Sequence, residues 1–372
     1  MKKLEMNILH AAETIKGGVA TVMRQLVEEQ LDPVKNNKVC CIIPQDQRQE
    51  MRDIENKFLI PYVRKGRGLS SFLRFFFVFI KSVFKEKPEI VHLHSTFAGV
   101  IGRVALILMR PIRRPKIVYC PHAFSFLMQS SSKKRKLYSL IEKYLSNFTD
   151  AIICVSEYEK EKAIEAGLPT EKLKVVHNGV AKQDQITTRI NPYFHNQDIC
   201  NVLFVGRFDF QKGFDILAEV MRLLEGKPFH LTAVGGIVHD EGFDVGIMPQ
   251  TTFTGWLDSD ALAPYFTYAD VLVMPSRWEG FGMVPLEAMS YGLPVIATNC
   301  TSLPEIVQNN INGFLFEMGC AEGIVNVLIG TPREKWVSMG MEAEKTFLEN
   351  FTSDKMIYKT MCIYREVLER DY

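Results

Sequence analysis

Along the chain, compact runs of apolar residues alternate with longer segments whose apolar residues recur every three to four positions. Strands covered on both faces read as continuous apolar runs, and their crossover helices as amphipathic repeats. The alternation therefore predicts stacked βαβ units around parallel sheets, an α/β fold. Two series follow one another. The first places strands near residues 6–10, 38–43, 90–94, 116–120, 151–155 and 174–177; the second near 201–205, 230–234, 251–254, 271–274 and 295–298. A helix over 19–30 follows the first strand, Asp258 caps another over 261–268, and an amphipathic stretch over 353–368 makes a terminal helix. The polar stretch between the series predicts an interdomain linker. The expected domains are 1–185, a linker 186–200, a second domain 201–352 and the terminal helix 353–372.

The most specific chemistry lies after the strand 271–274, where Glu279 and Glu287, with seven residues between them, bracket a Gly-rich turn. Pro285 opens a helix and Gly292 with Pro294 closes it, so Glu279 falls in the loop and Glu287 in the first helical turns. Ligands of parallel sheets bind at the carboxyl ends of strands. Gly280 and Gly282 let a backbone approach closely, and the N–H groups of Phe281, Gly282, Met283 and Val284 suit a diphosphate. Carboxylates only accept hydrogen bonds, so their partners are hydroxyls on either side of that diphosphate: a ribose and a sugar. Acids that merely stabilise a helix N-terminus would not need the two glycines.

Arg207 and Lys212 follow the strand 201–205 in the run Gly206-Arg-Phe-Asp-Phe-Gln-Lys-Gly213. Two cations on one loop neutralise a diphosphate leaving group without a metal. No Asp-x-Asp motif suited to holding a divalent ion beside a nucleotide accompanies them, so no metal and no other cofactor is expected. Gly17 and Gly18 precede the first helix, where bare backbone meets a phosphate or the reacting sugar. His10, His92 and His94 stand at strand ends and read as structural, with His92 and His94 on one face by alternation. The segment 64–85 is aromatic and basic together: on a helix, Arg67, Ser71, Arg74, Lys81 and Lys85 form a narrow polar stripe. Packing on the sheet explains most of its apolar surface; an interfacial membrane contact, with the basic run Lys133-Lys-Arg-Lys136, is the other reading.

Taken together, Glu279-Gly-Phe-Gly-Met-Val-Pro-Leu-Glu287, Val205-Gly-Arg-Phe-Asp-Phe-Gln-Lys-Gly213, His177-Asn-Gly-Val180 and the Gly17-Gly18 loop resemble the retaining glycosyltransferases of family 4 (glycosyl transferases group 1), of the bacterial surface-polysaccharide type. The resemblance spans nearly the whole chain. It implies the GT-B fold, two Rossmann-like domains facing a central cleft, with the terminal helix crossing back onto the N-terminal domain. It also implies roles: Glu279 toward the donor sugar, Glu287 toward the ribose, and Arg207 with Lys212 on the diphosphate. His122, just past Pro121, resembles the family's cleft histidine that touches the donor sugar, and Asn178 is a family landmark. The base pocket is expected from Gly235-Gly236 and the segment around Trp256. The implied partners are a nucleotide-diphosphate sugar, with UDP favoured over GDP, and a glycan or lipid-linked acceptor.

Composition narrows this only at the margins. A net charge of +1 argues against a nucleic-acid partner. No apolar leader or long apolar span appears, so the expected location is the cytoplasm, with a peripheral contact at the inner face of the membrane as the extension. Eight scattered cysteines without a Cys-x-x-Cys read as reduced core residues. Two rival functions remain open: an epimerase or hydrolase of nucleotide sugars on the same scaffold, and a non-catalytic subunit of a glycan-assembly complex. Donor turnover separates them.

Overall fold

The computed structural model of the chain describes residues 5–66, 68–183, 190–193, 199–238, 246 and 248–370. They pack as two compact units: Met1–Asn178 with Ser353–Tyr372, and Gly179–Thr352. The expected linker, 186–200, falls largely outside the described residues.

The first unit holds a seven-stranded parallel sheet of β1 (Asn7–Ala12), β2 (Lys38–Pro44), β3 (Leu59–Tyr62), β4 (Ile90–His94), β5 (Lys116–Cys120), β6 (Ala151–Cys154) and β7 (Leu173–Val175). Their order is β3-β2-β1-β4-β5-β6-β7. The helices are α1 (Gly18–Gln30), α2 (Leu69–Glu86), α3 (Thr96–Met109), α4 (Ser132–Ser146) and α5 (Glu157–Glu165). Leu9, Ala11, Val91 and Leu93 point from one face of the sheet into a core with Phe75, Phe79 and Val83 of α2 and Ala98 and Ala105 of α3. From the other face Ala12, Val39, Cys41 and Ile43 pack on Met23 and Val27 of α1.

The second unit repeats the plan. Its strands are β8 (Cys200–Arg207), β9 (Phe229–Gly236), β10 (Thr251–Gly255), β11 (Val271–Met274), β12 (Val295–Thr298) and β13 (Gly313–Phe316), with α6 (Phe214–Leu223), α7 (Ser259–Tyr268), α8 (Met283–Ser290), α9 (Leu303–Ile306), α10 (Ala321–Gly330) and α11 (Arg333–Asn350). The order β10-β9-β8-β11-β12-β13 reverses between β8 and β11, as the first sheet reverses between β1 and β4. Each unit is thus a Rossmann-like doubly wound domain with one switch point, where crossovers part to opposite sides and leave a crevice. The last helix, α12 (Ser353–Glu369), belongs to the first unit, where Tyr364 is fully buried.

Two strands lack a sequence signal. β3 and β13 are four-residue edge strands, one containing Pro61 and the other opening on Gly313. Pro and Gly weaken a strand pattern but are tolerated at an edge. The stripe expected on α2 is also revised: Ser71 is buried and its hydroxyl accepts the Lys65 N–H, while Arg67 lies outside the described residues.

Candidate functional site

In the second unit, the loops after β8 and β11 meet at the carboxyl edge of the sheet. Gly213 turns the first loop into α6 at φ +67°, and any Cβ there would lie 2.0 Å from the Pro275 carbonyl oxygen. Only glycine lets the two loops approach so closely. That approach sets Lys212 Nζ 2.6 Å from Glu279 Oε1, in a pair that is mostly buried. The same oxygen accepts the Ser276 hydroxyl at 2.8 Å, and the Glu279 N–H reaches Thr301 Oγ1 at 3.1 Å. Charge-assisted bonds of this length fix the carboxylate while leaving its Oε2 without a described partner.

Arg207 ends β8. Its guanidinium pairs with Asp209 at 2.9 Å and donates to Gln211 Oε1 at 2.8 Å, so it is braced within its own loop and does not touch Glu279. Arg277 ties the second loop to the first, with a bidentate pair to Asp215 (2.7 and 2.6 Å) and its guanidinium over the Phe210 ring. Neither Ser276, Thr301 nor Arg277 is singled out by sequence reasoning. The signal was available only in Ser276 and Arg277, which stand in the same run as Glu279.

Helix α8 starts at Gly282 as N-cap, with no side chain capping it. The N–H groups of Gly282, Met283 and Val284 have no acceptor among the described residues, which leaves a donor cluster at the positive end of the helix dipole. Glu287 sits one turn further in; burial pushes its carboxyl above the usual carboxylate range. The Phe281 ring packs on Phe351, Gly280 completes the turn, and Gly206 sits at φ +154° with its carbonyl against Gly235. Trp256, just past β10, is 59 % exposed, and its indole edge lies over Gly236.

The first unit assembles a different site at its own switch point. Gly17 (φ +59°) is the N-cap of α1 and Gly18 its first residue, and no described side chain caps this helix either. His10 on β1 pairs in register with His92 on β4, and His94 lies two residues on. A continuous hydrogen-bonded chain results: His10 Nε2 to Gln30 Oε1 at 2.8 Å, His10 Nδ1 to His94 Nε2 at 3.0 Å, and His94 Nδ1 to His122 Nε2 at 3.0 Å. The Gln30 amide nitrogen faces Met361 Sδ, so its oxygen faces His10. Each imidazole must then donate from Nε2 and accept at Nδ1, which leaves His122 Nδ1 an acceptor with no partner among the described residues. Burial supports this neutral state, holding His10 and His122 down to about 4 and His94 well below the ordinary range.

His92 is set apart from this chain, accepting at Nδ1 from the Tyr364 hydroxyl at 2.6 Å. One ring nitrogen each of His10, His92 and His94 falls within 4.8 Å of the others, a spacing that metal ligands also show. The backbone at His122 (φ +53°) and Ala123 (φ +96°) is left-handed, a conformation non-glycine residues hold only under constraint. Glu159 supplies the constraint: one oxygen accepts the N–H groups of Ala123 and Phe124 at 3.0 Å, the other that of Val155 at 2.7 Å. Burial pushes this carboxyl up to about 7 against the pull of those three donors. Sequence reasoning missed His10, His94 and Glu159 as supports for His122, because the register of β1 against β4 is not visible in one chain. Asn178 is buried at the end of the first unit.

Sequence profiles of two families match the chain, "Glycosyltransferase Family 4" over residues 16–183 and "Glycosyl transferases group 1" over residues 199–330. An uncharacterized 41.2 kDa protein in the cps region of Klebsiella pneumoniae is 38 % identical, over 97 % of this chain and 99 % of that one. The UDP-Gal:alpha-D-GlcNAc-diphosphoundecaprenol alpha-1,3-galactosyltransferase of Escherichia coli is 27 % identical over 85 % of each chain. Among solved structures, Anabaena HepE in complex with UDP and glucose superposes with a TM-score of 0.79 at 18 % identity, over 97 % of this chain and all of that one.

Proposed function

The chain belongs to glycosyltransferase family 4 and has the GT-B fold, and on that premise we propose that this transferase moves a sugar from a nucleotide-diphosphate sugar to a glycan or lipid-linked acceptor, with retention and without a metal ion. The observation that carries the proposal is the Lys212–Glu279 contact at the mouth of an uncapped α8. It sets a cation for the diphosphate beside a carboxylate for sugar hydroxyls. The bond from the anomeric carbon to phosphate oxygen breaks as the acceptor oxygen bonds the same face. The acceptor's proton passes to the departing phosphate oxygen, so no separate base is required. Arg207, Lys212 and the α8 N–H groups stabilise the charge that develops on the leaving diphosphate.

A uridine nucleotide is the favoured donor base: the Escherichia coli relative is named for UDP-Gal and the Anabaena neighbour is seen with UDP. The first of those names also supports a lipid-linked acceptor, and with it a peripheral contact at the membrane. A thermal-shift panel of nucleoside diphosphates and their sugars identifies the donor, because a ligand that binds only the folded state raises the melting midpoint. Proton NMR of sugar released by slow donor hydrolysis, with and without EDTA, then checks the chemistry. The expected product keeps the donor's anomeric configuration and forms equally fast in EDTA; an inverted anomer, or activity lost to EDTA and restored by Mg²⁺, overturns the respective claim.

A further inference from the structure

Between Arg64 and Ile141 the chain carries sixteen lysines and arginines but only two acids, Glu86 and Glu89, in a protein balanced to +1 overall. Both acids are engaged, Glu86 with Lys38 and Lys85 and Glu89 with the Asn7 N–H. The fold sets most of this charge on α2, α3, α4 and the connection from α3 to β5. These helices are neighbours on one side of the sheet: the Phe72 ring of α2 stacks on Phe97 of α3, and Arg103 of α3 is bound to Glu142 of α4 at 2.7 Å.

A merely solvated cationic face would be polar, and this one is not. The outward row of α2 interleaves Leu73, Phe77 and Phe84 with Arg74, Lys81 and Lys85, and Phe77 is 64 % exposed. Leu108 of α3 and Ile112 just beyond it are 66 % and 70 % exposed. Leu137, Leu140 and Tyr144 of α4 stand out beside Lys133 and Lys136. No described acid pairs with Arg74, Lys81, Lys133 or Lys136. At the amino ends of β5, β6 and β7 the same region closes on a cavity of about 240 Å³ lined by Arg110, Arg113, Arg114, Lys172 and Arg370, with Asp150 its one acid. Lys172 is fixed there by the carbonyls of Ser146 and Asn147, and Asp150 is occupied by the Ile117 N–H.

We propose that the outer face of α2, α3 and α4 docks the protein on an anionic phospholipid bilayer, with the cavity at the amino ends of β5–β7 receiving a headgroup phosphate. Grouped exposed apolar side chains mark an interaction surface, and cations interleaved with aromatic and aliphatic groups are what a lipid interface accepts. A nucleic acid would use the cations but gain little from Phe77, Leu108 and Leu140. Among the described residues no helix is long and apolar enough to cross a membrane, so the proposed contact is peripheral. The inference deepens the proposed membrane contact, and vesicle binding needs neither donor nor acceptor, so it fails separately from the transferase reading.

Vesicle flotation of the full chain tests it, using phosphatidylcholine vesicles with and without 30 mol % phosphatidylglycerol. Binding is expected only to the anionic vesicles and should weaken in 0.5 M NaCl. The pair Arg113→Gln and Arg114→Gln should weaken it roughly 25-fold, about fivefold per cation. Phe77→Ser with Leu108→Ser should weaken it comparably while UDP still raises the melting midpoint as in wild type. Should either pair lower the midpoint itself, the exposed pair Lys133→Gln and Lys136→Gln gives the same reading without touching packed groups. Equal binding to neutral vesicles, or undiminished binding in these variants, overturns the proposal. So does a midpoint raised by free glycerol 3-phosphate without vesicle binding, which would make the cavity a site for soluble anions. Salt-resistant binding that ignores lipid charge but follows Phe77 and Leu108 would point to a protein partner and overturn it as well.

Discussion

The C-terminal unit holds its site residues by charge and the N-terminal unit holds its own by neutral imidazoles, although the two sheets reverse their strand order in the same way. At β8 and β11, short ion pairs run from Glu279 and Arg277 of the second loop to Lys212 of the first and to Asp215 in the opening turn of α6. At β1 and β4, His10, His94 and His122 are linked nose to tail and kept uncharged by burial. The shared topology therefore decides where a ligand sits and leaves the electrostatics free. Under the proposed function, charges suit an end that stabilises a leaving diphosphate, and neutral donors and acceptors suit an end that orients hydroxyls.

The largest effect expected from breaking this contrast is at the charged site. Arg207→Ala or Lys212→Ala should lower kcat by roughly 10²-fold or more, the loss typical of one preorganised transition-state donor, with an unchanged circular dichroism spectrum. Near-normal turnover in both would remove the cations from the mechanism.

Acid should find the neutral site instead. His10 and His122 titrate near 4 in the folded chain and near 6.5 when unfolded, so the unfolded state binds more protons between those values. Stability present above pH 6.5 is lost as pH falls toward 4. From pH 7.5 to 5 the loss should be roughly 2 kcal/mol for each such histidine, read by denaturant titration. His10→Gln, which keeps a polar partner but cannot titrate, should flatten that slope; an unchanged slope would show that the chain is not held neutral.

A smaller effect should come from cutting the chain in its middle. His94→Leu removes the acceptor that fixes the His122 tautomer, and kcat should fall roughly tenfold through lost positioning, with nucleoside diphosphate affinity unchanged. Parallel losses in affinity and kcat would instead indicate general disruption.

The finest distinction lies between the two acids of the C-terminal unit. Glu287→Gln should weaken UDP itself by roughly tenfold or more, the worth of one hydrogen bond to a charged group, whereas Glu279→Gln should leave UDP affinity intact and show its loss only with the intact donor. Calorimetry with both ligands decides it, and equal weakening of bare UDP would merge the two roles.

The parallel sheets and the residues of the second unit's loops were legible in the chain because their signals are local: an apolar run, a Gly-rich turn, a proline opening a helix. Lys212 and Glu279 could be named separately, but their contact depends on Gly213 letting one loop reach Pro275, which no spacing reveals. The histidine chain was less legible still. It needs β1 beside β4, strands separated by two helices and two further strands, and a register that aligns His10 with His92. Helix α2 misled for the opposite reason: amphipathicity predicts one apolar and one polar face, whereas its exposed row mixes both.

The return of α12 to the first unit bears on how the protein is made. A ribosome delivers Gly179–Thr352 as one continuous stretch, so that unit has every strand of its sheet before synthesis ends. The other unit, whose residues 1–178 precede that stretch, lacks Tyr364, the partner of His92, until α12 has emerged behind it. A chain cut before Ser353 would therefore hold the Gly179–Thr352 unit whole, while the other unit keeps an open apolar face on the side that α12 should cover.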